Sequence, residues 1–129
     1  MRHGVEGMKR EFGRKIDWAA WTHKAAAEQR RFGFSEAVAQ AEAVKARERL
    51  KLRLAWVRER FALSCEMEDR AGDAYAAMCE ARPEIDWDSP DAPELPAPPE
   101  EAIAEAIRAE LMAAVEEDRW PRHLCFHHV

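Results

Sequence analysis

Glycine, cysteine and large aliphatic residues are all scarce in this chain, and each shortage removes a class of function. Of 129 residues five are glycine, with none between Gly33 and Gly72, so no Gly-rich loop is available to cradle a phosphate. The three cysteines, Cys65, Cys79 and Cys125, are an odd number. On one straight helix Cys65 and Cys79 stand about 21 Å apart at 1.5 Å per residue, too far for a disulfide, so three free thiols are expected. No stretch near the first residues has the apolar h-region of a secretory signal, and no run approaches the roughly 20 apolar residues of a membrane span. A reducing, cytoplasmic setting without membrane contact is the expectation. GxSxG, HExxH and a Glu-x-x-His partner for the acidic stretch 66–73 are all missing, and the many carboxylates lie in charge-dense runs rather than as an isolated acid and base. The expected protein is not an enzyme and uses no cofactor.

Cations are scarce too, but only in the second half. Residues 1–64 hold fifteen Lys/Arg against eight Asp/Glu, and residues 65–129 hold five against seventeen. The halves carry +7 and −12, which leaves the chain at −5. Such polarity steers partners and orientation before it confers specificity. The 47% hydrophobic fraction is dominated by alanine, while 35% of residues are charged, well above the usual quarter. A helical protein with a thin core follows, and the five tryptophans, Trp18, Trp21, Trp56, Trp87 and Trp120, mark contact surfaces because an indole is costly to leave in water.

Residues 1–14 combine Gly4, Gly7 and Gly13 with charge and no apolar period, which reads as a mobile basic arm. Asp17 is a good N-cap for a first helix reaching about Arg31, where Gly33 can stop it. Trp18, Trp21, Ala25 and Phe32 fall on one stripe of that helix. The segment Arg31 to Phe34 is expected to form a tight turn whose two phenylalanines clamp the corner. Ser35 caps the next helix. Along it Ala39, Ala43, Ala46, Leu50, Leu54, Val57, Phe61 and Ser64 recur at steps of three and four, a near-heptad seam. Leu52, Trp56, Leu63 and Met67 lie off the seam, so its second half needs cover on more than one side. Gly72 followed by Asp73 predicts a break, with a short third helix over 73–82 ended by Pro83. Residues 83–99 hold six of the seven prolines and five acids, a composition that sustains neither helix nor central strand. Pro99, Glu100 and Glu101 then begin a final helix with Ile103, Ile107, Leu111 and Ala114 on one face.

The expected fold is therefore all-α: a helical hairpin of 17–32 and 36–70 with one long central helix, a short third helix, an acidic Pro-rich linker and a C-terminal helix over 100–119. The domain division is a basic hairpin part, 1–82, and an acidic part, 83–129, docked on it. The Trp18/Trp21 stripe against the Leu50–Phe61 seam is the expected core.

Three constellations are candidates for function. Trp18, Trp21, Leu50, Leu54, Trp56, Val57, Phe61 and Trp87 offer more apolar surface than a thin monomeric core hides, which suits a protein partner or a homo-oligomer and an adaptor or regulator role. The run Lys45, Arg47, Arg49, Lys51, Arg53, Arg58 and Arg60, with Trp56 for stacking, suits the phosphates of a nucleic acid, with the acidic half as a regulatory tail. Glu48 and Glu59 interrupt it, and a solvated helix face neutralised by the acidic half explains the same residues. The tail presents His123, Cys125, His127 and His128, soft or borderline ligands for zinc or copper, although the spacing fits no usual zinc pattern and composition alone is weak evidence for ligation.

Overall fold

The computed structural model describes residues 15–117 and 119–120, which form three helices: α1, Trp18–Arg31; α2, Glu36–Ala81; and α3, Pro99–Glu116. No strand occurs among the described residues. The expected arm at 1–14 lies outside them, as does the His/Cys tail.

Local chemistry sets the ends of each helix. The Asp17 carboxylate accepts the Ala20 N–H at 3.1 Å and opens α1, satisfying one of the donors that a helix start leaves over. α1 closes where Gly33 adopts φ +92°, the left-handed region that costs a glycine nothing. Gly33 donates to the Arg30 carbonyl at 3.0 Å and Phe34 to the Gln29 carbonyl at 3.3 Å, the paired bonds of a Schellman ending. Two residues later Ser35 Oγ accepts the Val38 N–H and starts α2, and Arg30 reaches Glu36 at 2.7 Å across the corner. α3 opens with Pro at the first position and Glu100 and Glu101 in the first turn, where missing N–H donors do no harm and negative charge meets the positive helix end.

α2 dominates the architecture. Its 46 residues span about 69 Å at 1.5 Å per residue, and both other helices are laid antiparallel along it while making no contact with each other. Lys51 sits over the Trp18 ring and Arg30 pairs with Glu36, so α1 covers the first half. Tyr75 bonds Glu101, Arg60 bonds Glu110, and Trp120 reaches Trp56, so α3 covers the second.

The expected break at Gly72 does not occur: α2 runs through it without interruption. A mid-helix glycine costs about 1 kcal/mol relative to alanine. The contacts that α3 makes on either side of Gly72 outweigh that cost, with Ser64 and Ala71 buried below it and Tyr75 tied to Glu101 above it.

The core also lies elsewhere than expected. Val57, Ile107 and Leu111 are its buried centre, and Trp56, Phe61, Leu63, Met112 and Trp120 pack around it. The Trp18/Trp21 stripe is only half-buried, its rings meeting edge to face at 6.1 Å. Beneath α1 the fully buried residues are Ala26, Ala39 and Ala43, whose methyls let two backbones approach closely but remove little apolar surface from water.

Candidate protein-interaction surface

The candidate partner-binding residues separate once the helices are in place. Val57 is 1% exposed in the α2–α3 core, with Trp56 and Phe61 partly buried around it. These three serve the fold of a single chain. Leu50 and Leu54 are half-buried on α2, and Trp18 and Trp21 are half-buried on α1. Trp87 is on the connecting segment 82–98, donating its indole N–H to the Cys79 carbonyl at 3.3 Å and folding the segment back over the end of α2. Turns from Arg82 to Ile85, Asp86 to Ser89 and Ser89 to Ala92 shape the same segment. Arg82 Nε donates to Glu84 at 2.7 Å, which holds the Glu84 carboxyl below the usual range.

Large apolar residues are most exposed at the α1–α2 end. Phe32 is 80% and Phe34 50% accessible, and Val38, Val44 and Leu52 also face solvent. The expectation that the two phenylalanines clamp the corner is thus corrected: backbone hydrogen bonds close the turn, and Phe32 in particular faces solvent. Helical spacing gave no warning of this surface, since Phe32 falls on the Trp18/Trp21 stripe. The usable signal was the unusual Phe-Gly-Phe turn itself. On α3 the exposed counterparts are Ile103 and Val115.

The seven cations of 45–60 also divide. Lys45 pairs with Glu42 at 3.6 Å, Arg47 with Glu48 at 3.0 Å, and Lys51 with Glu48 at 3.8 Å. Arg53 is buried, with its guanidinium 5.1 Å from the centre of the Trp120 ring, a cation–π contact. Arg60 turns to Glu110 on α3 at 3.2 Å. Arg58 lies near Lys15, Ile16 and Trp18 beside the start of α1, and both it and Arg49 are engaged within the chain. Trp56, the stacking candidate, meets Trp120 edge to face at 6.0 Å. Local glutamates, more than the acidic half, balance the basic stretch.

The acidic half has its own internal order. Arg108, nearly buried on α3, pairs with Glu68 on α2. Tyr75 donates to Glu101 at 2.5 Å, and this hydrogen bond, aided by desolvation and the carboxylate's charge, raises the phenol above its ordinary range. Between them Ala71, Gly72 and Ala104 leave a cavity of about 180 Å³ bordered by Glu68, Glu101, Glu105 and Arg108. Tyr75 lines it too.

Cys65 and Cys79 are free thiols on the second half of α2, while His23 is exposed on α1, over the first half. Among the described residues no three His, Cys, Asp or Glu side chains converge as metal ligands, and His123, Cys125, His127 and His128 lie outside them. No helix among the described residues is long and apolar enough to cross a membrane. Comparison with protein-family models, with curated proteins and with solved structures found no significant match to this chain.

Proposed function

We propose that this chain is a non-catalytic protein-interaction module, a small helical adaptor or regulator whose binding surface is the α1–α2 end. The observation that carries the reading is the exposure of Phe32, Phe34 and Val38 together at one corner. Isolated exposed apolar side chains are ordinary on protein surfaces, but contiguous ones mark contact sites. Exposed charges of both signs, Arg30, Arg31, Glu28 and Glu36, give the corner a polar rim, and aromatic anchors within a polar rim are the usual anatomy of a protein interface. This is a narrower surface than the seam on α2, much of which α3 covers.

The test is affinity capture from native cells with the full chain as bait, comparing wild type with a Phe32→Asp/Phe34→Asp variant. Proteins retained by wild type and lost by the variant are the expected result. Equal recovery by the two baits, or no recovery by either, contradicts the reading.

A further inference from the structure

We infer that the segment joining α2 to α3 carries a second docking site, a preformed polyproline II ligand for a protein domain with an aromatic-lined groove and a basic rim. The site lies at the opposite end of α2 from the Phe32/Phe34 corner and does not depend on it. Its first support is local chemistry. Pro93, Pro96 and Pro99 recur at every third residue, the period of a polyproline II helix, which has three residues per turn and no internal hydrogen bonds. Proline holds φ at about −65° at positions 93, 96, 98 and 99. Ala92, Leu95, Ala97 and Pro98 each precede a proline, which turns them from the helical region toward extended backbone. From 92 to 99 only Glu94 escapes both restrictions.

The fold repeats that period. Residues 93–98 belong to no helix, strand or turn, and Pro98 stands at φ −63° and ψ 147°, the polyproline II values. Ala92 and Leu95 are half-buried and Pro98 is buried, whereas Pro93, Glu94, Pro96, Ala97 and Pro99 are all exposed. One edge of a three-edged rod is therefore seated inward, and the other two face solvent. From Ala92 to Pro98 the rod runs about 19 Å at 3.1 Å per residue. It is held at both ends: the Ala92 N–H donates to the Ser89 carbonyl at 3.0 Å, and Pro99 opens α3. Aromatic-lined grooves take such rods because little conformational entropy is left to lose on docking. Charge narrows the partner further. Asp86, Asp88, Asp91 and Glu94 are exposed, and no Lys or Arg stands between Arg82 and Arg108, so the groove that fits carries cations at its rim.

The test uses the full chain as bait in native cell extract at ~50 mM salt, with elution by ~1 mM decaproline, an oligopeptide that forms the same helix. A protein released by decaproline is expected, and a Pro93→Ala/Pro96→Ala variant that is helical by circular dichroism should recover roughly tenfold less of it. Asp91→Lys/Glu94→Lys should also recover less, by a margin that shrinks at ~500 mM salt. Purified and added to the isotope-labelled full chain, the released protein should shift the amides of Glu94, Leu95 and Ala97 and leave those of Phe32 and Phe34 in place. No protein released by decaproline, equal recovery by the proline variant and wild type, or shifts centred away from 92–99 overturns the inference. Should the proline variant unfold, the charge variant decides, because it keeps every proline: recovery equal to wild type at ~50 mM salt overturns the inference. The Phe32→Asp/Phe34→Asp variant separates this site from the corner and should recover the decaproline-released protein as wild type does. Loss in that variant with none in the proline variant overturns the inference and leaves the corner reading standing.

Discussion

The two halves of α2 are covered by helices of opposite character. Over the first, α1 contributes Ala26 against Ala39 and Ala43, methyl against methyl. Over the second, α3 contributes Ile107 and Leu111 against Val57, with indoles and a phenyl ring around them. Burying one large aliphatic side chain stabilises by about 1.5–3 kcal/mol, whereas a methyl-sized group contributes about 0.8 kcal/mol. One end of the rod is therefore held by packing and the other by turn geometry and close backbone approach. The weakly held end is also where Phe32, Phe34 and Val38 face water, so the molecule builds its core with one half and offers a surface with the other.

The sharpest way to break this contrast is Leu111→Ala. Leu111 is fully buried, and such truncations cost about 2–5 kcal/mol. Chemical denaturation is expected to show a loss near 3 kcal/mol, with the α1–α2 corner unchanged in local structure. Ala43→Leu attacks the other half. Its methyl is 1% exposed beneath α1, and overpacking a closed contact costs about 1–3 kcal/mol. The disturbance should appear in the NMR shifts of α1 and leave Ile107 and Leu111 where they are.

Gly72→Ala should act in the opposite direction. The position is helical and an added Cβ meets nothing within 4 Å, so alanine is expected to stabilise by about 0.5–1 kcal/mol, read as a higher denaturation midpoint. A loss of stability there would mean that α2 is not continuous.

The smallest effect is expected at Tyr75→Phe, and pH reveals it. Because the hydrogen bond to Glu101 raises the phenol in the folded state, its contribution is complete below the ordinary phenol value of about 10. It is lost as pH rises through the higher folded value. Wild type should exceed the variant by a constant margin from neutral pH to about 10 and approach it above that.

What was legible in the sequence follows from the range of the forces involved. The caps at Asp17 and Ser35 and the proline start at Pro99 are local chemistry, fixed within one turn, and they stand where the residues indicated. The near-heptad seam showed which side of α2 is covered. Periodicity does not name the covering helix, so the core was assigned to the Trp18/Trp21 stripe although Ile107 and Leu111 fill it. Gly72 misled for the converse reason: a local weakness was overridden by tertiary contacts far away in sequence. Phe32 and Phe34 misled because a Schellman ending closes a turn with backbone bonds alone. Rings at such a corner remain available for another surface.

Amide hydrogen exchange along α2 tests the contrast between the two halves most directly. Amides beneath α3, from Val57 to Ala71, should exchange near the rate of global unfolding. Those beneath α1, from Ala39 to Leu50, should exchange faster through local opening. Equal protection of the two segments, or slower exchange beneath α1, would contradict the account.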